Sequence, residues 1–264
     1  MSSESEKPVV GTDYAVLRRQ IARLQLVVAC VAILWIASTL WLLARQPAIP
    51  PVLAVERLDI VEPDGSLALV LANSQRPVAA TIGGEVISRD QEERRRGTPS
   101  MIMFDGQGDE VGGLLLGSRR SDNGFSAVRQ FTLDAFGQDQ AVILRHIQDP
   151  RGATSGLAVS VRPGHSILDA MKELGLPPGA TGAELQAAIA ALPDESRDAR
   201  RRELFGVERA FLGAVPTGNT HLTLRDGQGR RRIVIDVPEG GEPSIAILDA
   251  DGQTVARLPE GSRP

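Results

Sequence analysis

Four acidic side chains have the residue types and the spacing for binding or acid–base chemistry. They are Asp105, Glu110, Asp134 and Asp139. Two carboxyl groups held about 5–10 Å apart could serve as the acid and the base of a glycoside hydrolase. The Gly112-Gly113 pair that follows Glu110 would let a backbone or a ligand approach closely. If side chains of this protein bind a polar ligand, these four are the candidates; no residue is assigned to catalysis.

A competing interpretation is that these acids only shape turns. Repeatedly along the chain, an apolar run leads to an acidic residue, two further residues and a glycine before the next apolar run. The segments are Glu62–Gly65, Asp105–Gly108, Asp134–Gly137, Asp226–Gly229 and Asp249–Gly252. An acid that opens a type I turn accepts backbone N–H bonds, and a glycine that closes it adopts the left-handed conformation. We therefore predict a β-hairpin tip at each segment and favour solvent-exposed positions for its acids.

Sequence motifs of the common enzyme classes are absent. The chain has no G-x-S-x-G, P-loop or H-E-x-x-H segment, one cysteine (Cys30) and three histidines that are far apart. We therefore expect no metal and no cofactor. The net charge of −4 and the aromatic content of 3% argue against nucleic acid as a partner. The charge run Glu92–Arg96 is interpreted as part of a solvated loop at 73–98.

The hairpin tips imply the elements that must position the acids. The flanking apolar runs predict about twelve strands in six hairpins, with a helical insertion at 163–206 in the tip of one of them. A mainly β domain is therefore expected at 55–259. An ungapped similarity between 99–114 and 243–258 suggests repeated two-hairpin units. The domain is accordingly either β-trefoil-like or a meander folded as a sandwich or barrel.

An apolar stretch at 24–44 has no charged side chain and is long enough for one helix to cross a bilayer. Arg18, Arg19 and Arg23 precede it closely, and fewer basic residues follow it. This bias predicts a single-pass protein with a cytoplasmic N-terminus and a periplasmic or otherwise extracytoplasmic C-terminal domain. Two processing alternatives remain open: a lipoprotein box that ends at Cys30 and a signal-peptidase site at 52–54.

The segments around the apolar stretch complete the predicted organisation. They are a disordered tail at 1–11, a helix at 12–46, a linker at 47–54 and a second tail at 260–264. Apolar residues from Tyr14 to Val31 recur at heptad spacing, which permits a homodimer through the N-terminal helix. A helix that is apolar on every side explains the same pattern, and we favour that explanation.

Several segments of the β domain resemble a family of bacterial membrane-anchored proteins with repeated Asp-x-x-Gly hairpins. The similar segments are 55–65, Met103–Leu114, Leu133–Gln140, Arg209–Gly213 and the two C-terminal hairpins. The resemblance covers most of 55–259 and implies a bacterial source, but no activity, because none is known for the family. Where this chain has Phe104-Asp105, the similar proteins often carry an aromatic residue and Asn, which weakens the case for Asp105.

The function expected from these features is a membrane-anchored, non-enzymatic β domain that binds a protein or an envelope polymer outside the cytoplasm. Two alternatives follow from other features. An envelope hydrolase could use Glu110 with Asp134 or Asp139. A structural subunit of a membrane assembly could associate through the heptad pattern or the helices of 163–206.

Overall fold

The computed structural model describes residues 10–44, 52–122 and 124–259. The chain divides into two compact units, Met1–Ala54 and Val55–Pro264, which are described separately. The described part of the first unit contains one helix, α1 (Val10–Ala44). Its Tyr14–Ala44 portion is long and apolar enough to cross a membrane, by length and composition. Residues 1–9, 45–51, 123 and 260–264 lie outside the described residues, and they include the predicted second tail and most of the predicted first tail and linker.

The second unit is mainly β, as the sequence predicts. Its strands are β1 (Arg57–Val61), β2 (Leu67–Ala72), β3 (Thr81–Ile82), β4 (Glu85–Val86), β5 (Ser100–Phe104), β6 (Glu110–Ser121), β7 (Gly124–Asp134), β8 (Gln140–Asp149), β9 (Gly152–Val161), β10 (Val207–Ala214), β11 (Thr220–Arg225), β12 (Arg231–Val237), β13 (Ser244–Leu248) and β14 (Thr254–Leu258). Its helices are α2 (Gln91–Arg95), α3 (Ile167–Glu173), α4 (Gly182–Ala190) and α5 (Asp194–Phe205). Helices α3 to α5 fall within the predicted helical insertion.

Twelve of the strands form one antiparallel sheet in which every strand pairs with its neighbours in sequence order. Strands β3 and β4 form a separate two-stranded sheet. The arrangement is therefore a meander, and the β-trefoil alternative is wrong. No pairing joins β1 to β14 among the described residues, so the sheet is open and does not close into a barrel.

The predicted turn chemistry is present in three of the five predicted hairpin tips. The Asp105 Oδ1 atom accepts hydrogen bonds from the backbone N–H groups of Gln107 and Asp109, at 2.9 and 3.1 Å. Asp226 and Asp249 accept the corresponding bonds in their own turns. In each case the carboxylate satisfies two backbone donors that the turn would leave free.

The hairpin between β7 and β8 departs from this pattern by one residue. Here Ala135 opens the turn: its carbonyl oxygen accepts from the Gln138 N–H, and its N–H donates to the Asp139 carbonyl. Asp134 is therefore the last residue of β7 and not the first residue of the turn. The predicted hairpin tip is present, but the Asp134 side chain does not cap it and can make other contacts.

The segment at 73–98 is more ordered than the predicted loop. It contains the β3–β4 hairpin and helix α2, and it packs on one face of the main sheet. That face, called the inner face, carries a directly paired row that includes Val70, Ile102, Thr132, Ala158 and Phe211. All five of these side chains are buried.

Gly112 and Gly113 lie where the backbones of the two strands beside β6 leave no room for a Cβ atom. Gly112 has a φ of +141°, and a Cβ atom there would lie 2.2 Å from the Thr132 carbonyl oxygen. A Cβ atom on Gly113 would lie 2.6 Å from the Met101 carbonyl oxygen. Both contacts are with backbone of the sheet, which cannot move without breaking the strand pairing. The Gly-Gly pair is therefore a requirement of the fold.

We expect Gly112→Ala to lower the free energy of unfolding by about 2–4 kcal/mol, because it adds both backbone strain and a backbone clash. Chemical denaturation of the full chain would measure the change. Gly106→Ala is the matched control, since a Cβ atom there meets nothing within 4 Å; we expect less than about 1 kcal/mol. Equal effects of the two substitutions would contradict this account.

Candidate functional site

A cavity of about 280 Å³ lies on the inner face, between the ends of strands β6 to β8 and the elements that cover them. Its polar lining includes Glu110, Asp134, Gln138 and Asp139, which come from β6, β7 and the turn after β7. Its apolar lining includes Ile82, Ile87, Ile167, Met171 and Leu185. The cavity therefore combines carboxyl groups with a hydrocarbon wall, as small-molecule sites commonly do.

Glu110 is held in a buried ion pair with Arg95, the last residue of α2. The Arg95 Nη2 atom donates to both carboxylate oxygens, at 2.6 and 2.9 Å, and its Nη1 atom donates to the Val78 carbonyl at 2.8 Å. The two side chains are only 11% and 8% exposed. Burial raises the pKa of Glu110, the Arg95 guanidinium opposes that rise, and Asp139 adds to it. Since both oxygens are occupied, Glu110 fixes the 73–98 segment to the sheet.

Asp134 has no such partner. Its Oδ1 atom is buried and receives no hydrogen bond within the described part of the chain. The pKa of Asp134 is raised to about 7, mainly by burial and also by the charges of Glu110 and Asp139, while Arg95 and Arg162 oppose the rise. A carboxyl group with this pKa exchanges a proton near neutral pH.

Gln138 supplies a second buried acceptor. The residue is 1% exposed, and its Nε2 atom donates to the His165 carbonyl at 2.7 Å. That bond fixes the orientation of the amide and turns Oε1 away from the His165 carbonyl. Within the described residues, Oε1 is buried and has no hydrogen-bond donor. Two residues that line the cavity, Asp134 and Gln138, thus each carry a buried acceptor atom without a donor among the described residues.

The helical insertion forms the far wall of the cavity because it is docked on the β7–β8 turn. The backbone N–H of Ile167 donates to the Gly137 carbonyl at 2.8 Å. Ser166 caps the same helix, α3, in a capping box with Asp169. A larger cavity of about 580 Å³ adjoins the first, and both are lined by Asp139, Ile167, Leu185 and Gln186.

The structure brings together three of the four predicted site residues. Glu110, Asp134 and Asp139 line the cavity, whereas Asp105 is occupied in its own turn. Arg95 was missed because a charge run in a polar segment resembles a solvated loop. The described residues contain no group of three or more His, Cys, Asp or Glu side chains placed to hold a metal ion.

Comparison of the chain with protein-family models, curated proteins and solved structures found no match. The resemblance to bacterial membrane-anchored proteins therefore stays a prediction. The function has to be argued from the cavity and its surroundings.

The raised pKa of Asp134 makes the stability of the domain depend on pH in a defined direction. An acid whose pKa is higher in the folded than in the unfolded state favours folding while it is protonated. That contribution is complete below pH 3.8, the ordinary value, and is lost as the pH rises through about 7. At 1.36 kcal/mol per pKa unit, the loss between pH 5 and pH 8 is about 3 kcal/mol.

We therefore expect Asp134→Asn to remove this part of the pH dependence, so that the variant loses less stability than the wild type between the two pH values. Denaturant unfolding at about pH 5 and pH 8 measures the difference. Asp251→Asn, a change of the same chemistry at an exposed turn residue, should follow the wild type. A variant with the same pH dependence as the wild type would contradict the assignment.

Proposed function

We propose that this protein is a single-pass membrane protein whose β domain is a non-enzymatic binding module outside the cytoplasm. In this proposal, the cavity binds a hydrogen-bond-donating group of a protein or an envelope polymer. One observation carries the proposal: Asp134 Oδ1 and Gln138 Oε1 are buried acceptors without a donor, and both residues line the same cavity.

The chemistry of the missing group follows from these acceptors. A buried acceptor without a hydrogen bond costs about 1–3 kcal/mol, which a ligand N–H or O–H group would recover. Asp134 and Asp139 also favour a positive charge, whereas Arg95 already compensates Glu110. Arg94, the cationic side chain in the lining, is paired with Asp90. The group that fits best is an ammonium, followed by a hydroxyl, on a short aliphatic stem that contacts Ile167 and Met171.

The surroundings of the cavity favour a polymer or a peptide over a free small molecule. The adjoining cavity of about 580 Å³ is lined by charged side chains of α5, including Asp198, Arg201 and Arg202. A chain that inserts one donor group into the smaller cavity could extend along this larger one. Such an arrangement combines one specific contact with broader polar contacts.

Binding is favoured over hydrolysis because of Glu110. The hydrolase alternative paired Glu110 with Asp134 or Asp139, but both Glu110 oxygens accept bonds from Arg95. A carboxylate bound in this way is not free to attack a substrate or to activate a water molecule. Without Glu110, the remaining pair of acids in the cavity is Asp134 and Asp139. The two acceptors without a donor would be satisfied by a bound ligand that donates hydrogen bonds.

The anchor and its orientation rest on α1 and its flanking charges. The helix is long and apolar enough to span a membrane. The basic residues Arg18, Arg19 and Arg23 precede the apolar stretch, so the positive-inside rule favours a cytoplasmic N-terminus. The proposed location is the inner membrane of a bacterium, with the β domain in the periplasm.

The ligand class can be tested with three short-chain probes of similar size: n-butylammonium, n-butanol and butyrate. Each is added to the full chain in detergent, and methyl NMR signals of Met171 and Ile167 are followed. We expect butylammonium to shift these signals most, butanol less and butyrate least, since two acceptors and an acid line the cavity. Asp134→Asn should weaken butylammonium binding about tenfold or more, equivalent to at least about 1.4 kcal/mol.

Asp105→Asn is the matched control, because Asp105 was a predicted site residue but is held in its own turn. It should bind butylammonium as the wild type does. Preference for butyrate, or an equal loss in both variants, would contradict the proposed ligand class.

The orientation can be tested separately with reporter fusions after Pro264. We expect a reporter that is active only in the periplasm to work and one that is active only in the cytoplasm to fail, given the charge bias. The reverse pattern would place the β domain in the cytoplasm and would direct the search to partners at the inner surface of the membrane.

A further inference from the structure

The face of the main sheet opposite the inner face is apolar from one edge to the other. Directly paired residues share a face, and one such row runs from Leu58 in β1 to Leu258 in β14 with only Leu, Met, Phe and Ile side chains. Its middle members are Leu114, Phe131, Leu144, Leu157, Leu212 and Leu222. This surface is called the outer face.

A second row runs beside the first, two residues away from it in every strand. Its middle members are Leu133, Val142, Val159, Ala210, Leu224 and Ile233. From Ile60 in β1 to Ala256 in β14, this row also contains only apolar residues, including Gly112. Two uninterrupted apolar rows thus cross all twelve strands.

The outer face is exposed within the described part of the chain. Leu144 is 56% exposed and Leu212 is 51% exposed, and both lie in the middle of the sheet. The inner-face neighbours of these two residues, Ile143 and Phe211, are half-buried and buried. The helices of the insertion and the 73–98 segment pack on the inner face and leave the outer face without a covering layer.

The sequence of the strands indicates that both faces are built to be covered. A sheet with one solvated face alternates apolar and polar residues. Here strand β2 reads Leu-Ala-Leu-Val-Leu-Ala, and β13 reads Ser-Ile-Ala-Ile-Leu. Consecutive apolar residues are typical of strands that are buried on both sides. An exposed apolar surface of this extent marks an interaction site.

We propose that the outer face packs against the outer face of a second copy of this chain. At about 4.8 Å per strand and about 14 Å for two rows of side chains, the face covers about 800 Å². That area matches one partner's share of a stable protein–protein interface, which is also about 800 Å². Two copies carry the same twist, and sheets of equal twist pack face to face with strands about 30° apart.

A bilayer surface fits the outer face less well. Faces that lie on a membrane carry Trp and Tyr side chains and basic residues at their rims. Trp35, Trp41 and Tyr14, the only residues of these types in the chain, all lie in α1, and the single lysine after residue 54 is Lys172 in α3. The outer face carries arginine, such as Arg129 beside Phe131, but it lacks the Trp and Tyr side chains that anchor a protein at a lipid interface.

The membrane anchor would support the pairing. If α1 spans a membrane, as proposed above, every copy is confined to the same plane, which raises its effective concentration toward the others. The pairing needs no contact between α1 helices, so it is distinct from the predicted homodimer through the N-terminal helix. It is also independent of the ligand in the cavity.

Thiol protection in the full chain tests the proposal. In a Cys30→Ser background, Leu157→Cys places the only thiol in the middle of the outer face, whereas Val86→Cys places it on an exposed strand outside the main sheet. We expect the thiol at 157 to react with a maleimide at least about tenfold more slowly than the thiol at 86 when the protein is concentrated in detergent. On dilution the two rates should converge, in step with a change from dimer to monomer mass.

A charged substitution provides the matched comparison. Val159 and Val86 are 36% and 39% exposed, so Val159→Asp and Val86→Asp make the same change at similar exposure. Val159→Asp should expose the thiol at 157 at every concentration, and Val86→Asp should leave it protected. A thiol at 157 that reacts freely in the concentrated protein would overturn the proposal. The proposal would also be overturned if the thiol at 157 stayed protected after dilution or in the Val159→Asp variant. Protection of this thiol only in the presence of lipid vesicles would overturn it as well.

Discussion

The second unit depends on one constraint: each strand of its main sheet pairs only with its neighbours in the sequence. A meander satisfies the backbone hydrogen bonds of twelve strands through local connections, but it leaves a single layer. A single layer has two faces, and a strand that is apolar on both sides needs cover on both. The 73–98 segment and the helical insertion at 163–206 supply cover for part of the inner face. These two segments pack on the inner face only. Their position creates the cavity and the buried ion pair, and it leaves the outer face uncovered.

The cavity lies where the 73–98 segment and the helical insertion meet the ends of the central strands. Arg95 of the 73–98 segment binds Glu110, and the N–H of Ile167 in the insertion donates to the Gly137 carbonyl. The ion pair neutralises the buried Glu110 carboxylate, so the polar character of the cavity depends on the polar groups that have no partner. Asp134 is one of them, because the β7–β8 turn begins one residue later than the other acidic turns. A shift of one residue thus converts a turn acid into a buried acid whose pKa is raised to about 7.

How far the sequence predicted this structure depends on the range of the interactions. Acidic turns such as Asp226–Gly229 use bonds within four residues, so the hairpins, the mainly β class and the helical insertion could be predicted. Glu110, Asp134 and Asp139 could be proposed as neighbours because they flank adjacent hairpins. Arg95 could not, because its burial depends on a fold of the 73–98 segment that no local pattern specifies. The choice between trefoil and meander was open for the same reason: it concerns contacts between distant strands.

The proposed ligand binding and the proposed pairing of two copies use opposite faces of one sheet. Glu110 pairs with Phe104, a buried residue of the inner face, so the cavity opens on the side away from Leu144 and Leu212. A second copy on the outer face would leave the cavity open, and each copy could hold its own ligand group. For a polymer with repeated donor groups, two tethered cavities would bind more tightly than one, because the second contact forms within the same complex. A single-layer sheet is suited to this combination, since one face can carry the assembly and the other the binding site.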